Sequence, residues 1–360
     1  MKKLIALSLA LVMILALCPI VRAEEARTER IGVLSLLNQS EEEMVNTIKA
    51  TIIVANLVGA EGYSENLLPF IANNIDEAVE FQPVYYDTLD AMVMALIVGD
   101  VEVLDIHSAT AAYLCANNDA LVQTTVFKPL DENASPFVRH AYAGLLSNDY
   151  AFLMLEGKEA LRDEFNTAIA AVKEDGTLDR LLQEQIDGVI STGEIVPVQM
   201  PVIEGAETIR VAVTGSLPPM DYVAPDGTPA GFNTALLAEI SRRVNKNIEL
   251  VQVDSMGRAA ALASGTVDVV FWTRTNSECN KLAAMTQEEL EAYVLENKAQ
   301  WTEDQAADVD RASTFFNLAD FGKLDMPEGT IITDPYYADM LVPVALKTFV
   351  EFLAGMNAGN

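Results

Sequence analysis

Apolar residues recur at strand spacing in two places: over Arg30-Ile-Gly-Val-Leu-Ser-Leu near the start of the chain, and at Ile209, Val211 and Val213 in its second half. The second run gives out at Thr214-Gly215 into a Pro218-Pro219 turn and a polar hairpin around Asp226-Gly227. Gly231-Phe232-Asn233 then opens a helix with Leu236, Leu237 and Ile240 on one face, Asn233 being a suitable cap. Strand, open loop and helix in that order place a pocket at the carboxyl end of a sheet in α/β domains.

A second pattern occurs twice. Ala95-Leu96-Ile-Val-Gly99-Asp-Val101-Glu102-Val103 ends a helix, turns at glycine and enters a strand, and Ala261-Leu262-Ala-Ser-Gly265-Thr-Val267-Asp268-Val269 repeats it. Glycine past a helix end supplies a left-handed cap, and the β-branched residues after it favour a buried strand. Leu161, Phe165, Ile169 and Val172 mark another helix, stopped at Asp175-Gly176, with Thr177 capping the next one. Between Asn280 and Thr330 the chain turns acidic and helix-rich, with Thr286 and Glu289 spaced as a capping box. That stretch reads as a solvated helical hairpin or, through Trp301, Phe315, Phe316 and Phe321, as a docking element.

These patterns predict an α/β protein of two modules, residues 28–190 and 208–347, the second carrying a helical insertion at 281–330. A Gly- and Pro-bearing linker, 191–207, joins them, and 348–360 forms a tail. Residues 1–23 stand apart. Lys2-Lys3, the apolar run Leu4 to Leu17, and Val21-Arg22-Ala23 have the layout of a cleaved export signal. A secreted chain, periplasmic or extracellular, follows. Cys18 raises a lipoprotein alternative, against which Leu17 stands where a small residue is expected.

Charge narrows the partners. The net charge of −30 moves to about −33 once Lys2, Lys3 and Arg22 leave with the signal, which argues against nucleic acid or an anionic membrane surface as partner. No later run reaches the roughly 20 apolar residues of a membrane span, so no membrane insertion of the mature chain is expected. Cys115 and Cys279 lie far apart, and His107 and His140 form no close-spaced pair, so the sequence offers neither a metal site nor a motif for a cofactor. No nucleophile can be paired with a base, and the chain reads as a binder and not an enzyme.

The wording of 208–240 resembles the first lobe of the bacterial extracellular solute-binding proteins of family 3, the amino-acid binders that feed ABC importers. Residues 161–178 look like the helix pair that closes members of that family, and Ile331-Ile-Thr-Asp-Pro-Tyr336-Tyr337 resembles its hinge-side segment. The resemblance implies two type II periplasmic-binding-protein-like modules, the second with its second lobe cut short. It implies capture of a small polar solute, such as an amino acid, and an importer permease as partner. A secreted sensory or interaction module built from degenerate lobes is the alternative, and an enzyme on the same scaffold, a dehydratase or cell-wall lyase, is a third.

The resemblance also implies which residues meet ligand. Asp221 and Tyr222 stand in the loop that supplies a stacking aromatic, with Tyr222 either stacking or packing over its own loop, and Phe232 follows in the helix start. Trp272, Thr273, Arg274, Thr275 and Ser277 continue the strand from Val267 to the place where the family has a threonine and, three residues on, a carboxylate-binding arginine. Here Ser277 and Asn280 fall at those two positions, which leaves Arg274 to reach the ligand or to pair with surface acids. Tyr336 completes that side. From the first module, Asp105 at a strand end suits a ligand ammonium, beside His107 and Ser108, and that module is the candidate for the missing jaw.

Overall fold

A computed structural model of the protein describes residues 27–34, 40–58, 79–124, 148–254, 257–275, 285–298, 302, 303, 306, 307, 310 and 326–350. The first half runs β1 (Arg27–Leu34), α1 (Glu41–Val58), β2 (Val79–Tyr86), α2 (Leu89–Val98), β3 (Val103–His107), α3 (Ser108–Asn117) and β4 (Leu121–Gln123). Next come β5 (Asn148–Leu155), α4 (Glu159–Glu174), α5 (Thr177–Leu182), a π-helical turn at Gln183–Asp187, and α6 (Gly188–Thr192). The second half opens with β6 (Thr208–Val213) and a small hairpin sheet of β7 (Ser216–Leu217), β8 (Asp221–Val223) and β9 (Pro229–Ala230). It continues with α7 (Phe232–Val244), β10 (Asn247–Gln252), α8 (Arg258–Ala263), β11 (Val269–Thr275) and α9 (Gln287–Lys298). Three strands close it: β12 (Thr330–Ile332), β13 (Tyr337–Asp339) and β14 (Leu341–Leu346).

The hydrogen bonds sort these strands into two large sheets with one shared plan. In the first, β2 and β3 flank β1 in parallel, and β14 lies antiparallel between β3 and β4. In the second, β10 and β11 flank β6 in parallel, and β5 lies antiparallel to β11, with β12 and β13 on its far side. Each sheet therefore takes an antiparallel strand from the other half of the chain. The boundaries read from the sequence put β5 in the first module and β14 in the second; the pairing distributes them the other way.

Local chemistry fixes these elements. Thr88 Oγ1 accepts from Ala91 N–H at 3.3 Å to start α2, and Gly99 ends it at φ 83° with its N–H on the last carbonyls. Gly265 does the same after α8 at φ 70°, so the repeated helix–Gly–strand pattern is one structural unit used twice. Gly231 enters α7 at φ 102°, where a Cβ would stand 2.5 Å from the Met220 carbonyl oxygen, so only glycine fits. That residue, and not Asn233, flanks the helix start. Pro83 sits in β2, at the edge of its sheet, where a missing N–H costs least.

The Thr286–Glu289 capping box forms as expected: Thr286 N–H donates to Glu289 Oε2 at 2.8 Å, and Glu289 N–H donates to Thr286 Oγ1 at 3.3 Å. Thr177, by contrast, lies inside α5, its N–H donating to Asp175 Oδ1 at 3.0 Å. One apolar core runs through both sheets, from Leu104 and Ile106 through Phe152 and Phe165 to Val211, Leu236 and Phe271. Residues 1–23, read above as an export signal, with Cys18, together with His140, Ser277, Cys279, Asn280, Trp301, Phe315, Phe316, Phe321 and most of the tail, lie outside the described residues. Among the described residues no helix is long and apolar enough to cross a membrane.

Candidate functional site

Strands β1, β3 and β11 all end toward the space between the two sheets, and their last residues line a recess there. Val33 and Leu34 close β1, Asp105, Ile106 and His107 close β3, and Leu341 begins β14. Met44 of α1 lies over them, and Arg274 comes from the opposite sheet. The recess is open to solvent and has room for little more than a water molecule, well short of the ~300–1,000 Å³ usual for ligand pockets. It thus joins Asp105 and Arg274, which the sequence placed in different modules. The register of β1 and β3 sets Asp105 beside Val33, and Pro343 of β14 flanks it on the other side.

Burial governs the electrostatics of this recess. The Asp105 carboxyl is pushed up to about 6 because burial penalises its charge more than the Arg274 guanidinium favours it. His107 is driven down to about 3, first by burial and then by the same guanidinium, so its imidazole is neutral at physiological pH. Its Nε2 is hydrogen-bonded to the Tyr150 hydroxyl of β5, while Nδ1 has no hydrogen-bond partner among the described residues.

Next to the recess an aromatic cluster fills the interior. Trp272 stacks on Tyr150 with ring centroids 3.8 Å apart and planes 12° from parallel. It meets His107 edge-on at 5.0 Å, and Tyr337 lies 5.8 Å away. Trp272 adopts φ 56° at a bulge where the β11–β5 register slips between Val270 and Thr273. A left-handed backbone on so bulky a residue is strained. Two contacts hold it: its N–H donates to the Tyr336 hydroxyl at 3.3 Å, and its carbonyl accepts from Arg258 Nη1 at 3.3 Å.

The other residues singled out from the sequence fall elsewhere. Asp221 turns inward to bind its own loop, accepting from Thr214 N–H and Gly215 N–H, each at 2.7 Å, and from Thr214 Oγ1 at 2.9 Å. Burial nevertheless raises it to about 7. It shapes the loop and does not line the recess. Phe232 is fully buried, 5.2 Å from the Tyr337 ring. Tyr336 is likewise a core residue, 4.6 Å from Phe152. Thr273 and Thr275 are buried in β11, and Thr273 Oγ1 finds no hydrogen-bond partner among the described residues. Tyr222 faces Tyr113 of α3 at 6.5 Å, its hydroxyl also without a hydrogen-bond partner among them. Ser277 lies outside the described residues.

Asp339 was not legible in the sequence. At the return from β13 to β14 its carboxylate accepts from the Ser108 hydroxyl and N–H, from Ala109 N–H at 3.3 Å, from Met340 N–H at 2.7 Å and from the Tyr337 hydroxyl at 3.2 Å. It thereby caps α3 from a distant part of the chain. Only its tertiary position creates that role, and the residue types around it in sequence carry no cap signal. Among the described residues no cluster of His, Cys, Asp and Glu is arranged to hold a metal ion.

Two α/β units, each completed by a strand from the other and sharing a recess at their strand ends, have the architecture of the type II periplasmic binding proteins. Residues 209–299 match the model of the bacterial extracellular solute-binding proteins, family 3, a span of about a quarter of the chain. No curated protein sequence matches. Among solved structures, lipoprotein Tp32 from Treponema pallidum aligns at 10% identity over 93% of this chain and 89% of its own, with a TM-score of 0.34. The binding protein AgaA from A. tumefaciens R10, in complex with agropinic acid, aligns at 11% identity over 91% and 97%, with a TM-score of 0.37. The periplasmic aliphatic sulphonate binding protein SsuA from Escherichia coli aligns at 11% identity over 86% of each chain, with a TM-score of 0.28. These likenesses are too distant to add to what the strand pairing already establishes.

Proposed function

We propose that the protein is an exported solute-binding protein that captures a small zwitterion, an amino acid or a close relative, between its two α/β units and delivers it to an ABC importer. One observation carries this reading: Asp105 and Arg274, opposite charges from opposite sheets, line the same recess. A guanidinium suits a carboxylate, and a buried carboxylate suits an ammonium. The strand exchange supports it too, because linked lobes sharing a cleft are the usual apparatus for closing over a solute. On this reading the family's order is rotated along the chain. The segment that resembles the family's closing helices, within β5–α5, precedes the segment matched by its model.

A second reading is favoured by Trp272. Its indole fills interior space beside the recess, which suits a sensory or interaction module that no longer moves solute. A thermal-shift screen of the exported chain against amino acids and small peptides separates the two. A ligand present at a hundredfold excess over its Kd adds about 2.7 kcal/mol to stability. A shift with one or a few amino acids supports capture; no shift with any of them supports the second reading.

A further inference from the structure

Among the described residues the chain passes between the two units at one place, the short return from β13 to β14. Asp339 is the last residue paired in the second sheet, opposite Asn148 of β5, and Leu341 is the first paired in the other, opposite His107 of β3. Only Met340 lies between them. A change in the angle between the sheets is therefore concentrated in a few backbone dihedrals, as in other domain hinges. The Asp339 side chain spans that return. Its backbone belongs to the second sheet, whereas its carboxylate accepts from the Ser108 hydroxyl, from Ser108 N–H at 3.2 Å and from Ala109 N–H at 3.3 Å, all at the start of α3 in the first unit. The Tyr337 hydroxyl, from the second sheet, donates to the same carboxylate at 3.2 Å. We infer that Asp339 is a clasp across the hinge, holding the two units shut until its bonds to α3 are broken.

Opening matters because the recess at the strand ends has room for little more than a water molecule, so a larger guest enters only if the units part. Parting turns the chain about Met340 and draws the carboxylate away from Ser108 and Ala109. Hydrogen bonds weaken steeply with length and angle, so even a modest turn strains them. Their loss is costly on both sides. Asp339 and Ala109 are buried, and bonds to a carboxylate are strong where water is scarce. On the other side, two N–H groups in the first turn of α3 are left without an acceptor until water reaches them. Further contacts between the units gather on the same helix: His107, just before it, meets Tyr150 and Trp272, and Tyr113 lies 6.5 Å from Tyr222. Asp339 differs from these in standing on the hinge itself. The clasp follows from the strand exchange and the bonds of Asp339, whichever solute is captured.

The test measures the separation of the units by pulsed electron resonance, with nitroxide labels at Gln82→Cys in β2 and Glu249→Cys in β10 and the native cysteines replaced by serine. Both positions are exposed, and these strands are the sheet edges farthest from β14 and β5, so opening moves them most. A single narrow distance is expected in the parent. Asp339→Asn keeps the side-chain volume but turns an amide N–H against the donors of α3. It should add a longer distance in at least about a tenth of the molecules. Ser108→Ala, which deletes one hydroxyl, should do so to a smaller extent, and it carries the test if the Asp339 variant fails to fold. Ile169→Val, a core change within α4, controls for general destabilisation and should keep the parent's distance. An unchanged narrow distance in folded Asp339→Asn, or in Ser108→Ala where the first variant does not fold, overturns the clasp. So does a longer distance already populated in the parent, or one that Ile169→Val produces equally. None of these outcomes bears on solute capture, which the thermal-shift screen decides separately.

Discussion

The indole of Trp272 and the phenol ring of Tyr150 lie 3.8 Å apart and nearly parallel, one on β11 and the other on the strand that the first half of the chain lends to its sheet. The stack therefore reinforces the strand exchange, and it does so from a strained backbone at φ 56°. Replacing Trp272 separates the two effects. Trp272→Ala should lose about 3–5 kcal/mol of stability through lost burial. Trp272→Gly removes the same side chain but relaxes the left-handed backbone, so it should be less damaging than alanine by about 1 kcal/mol. Urea unfolding of both variants checks the order, and alanine milder than glycine would refute the strain argument.

Tyr150 has a second attachment through its hydroxyl, which is bonded to His107 Nε2 and so ties the two sheets. Tyr150→Phe keeps the stacked ring and deletes that bond, leaving both imidazole nitrogens short of hydrogen-bond partners among the described residues. A cost of about 1–3 kcal/mol is expected, with the circular dichroism spectrum unchanged.

His107 and Asp105 shape the response to acid, with opposite signs. His107 has a folded-state value depressed from 6.5 to about 3, so between those pH values the unfolded chain takes up a proton that the folded one refuses. Its contribution is present above about 6.5 and is lost as pH falls toward 3. Asp105 is raised from 3.8 to about 6, so between 6 and 3.8 the folded chain takes up the extra proton and gains stability as pH falls. The two slopes oppose one another between about 6 and 4. Chemical denaturation as a function of pH should show His107→Gln less acid-sensitive than the parent and Asp105→Asn more so.

Asp221 tests the line between loop architecture and ligand contact. Because its carboxylate satisfies two half-buried N–H groups, Asp221→Ala should cost about 2–3 kcal/mol, and Asp221→Asn, which keeps one acceptor oxygen, clearly less. Thermal unfolding gives the ranking. An alanine variant of parental stability would return the residue to the binding surface.

What could be read from sequence follows the range of the forces involved. The strand and helix around Gly231, the capping box at Thr286 and the glycine stops at Gly99 and Gly265 each arise within a few residues, and local spacing reveals them. Asp105 and Arg274 could be named as candidates because charged residues at strand ends are conspicuous. Their meeting was expected only through the resemblance, with the first module as the candidate jaw; the pairing behind it, β5 and β14 changing sheets, is decided by partners far along the chain. The bonds of Asp221 to Thr214 and Gly215 were out of reach for a related reason: a carboxylate that staples its own loop and one that awaits a ligand look alike in a string of letters. Asp339 was invisible because the helix it caps begins at Ser108, in the other half of the chain.

If Asp105 receives the solute ammonium, binding must depend on its ionisation. In the empty protein the carboxyl titrates near 6, held up by burial despite Arg274 and beside a neutral His107. An ammonium arriving there favours the charged carboxylate and draws its pKa down, so solute and proton compete. Affinity should be constant well above pH 6 and weaken as pH falls below it, approaching about tenfold per pH unit until the solute-bound carboxyl itself titrates. Titration calorimetry in buffers of different ionisation enthalpy also counts the protons: close to one released per solute at pH 5, and almost none at pH 8. In Asp105→Asn both the pH dependence and the proton release should vanish. If they persist, the titrating group lies elsewhere and Asp105 is not the ammonium's partner.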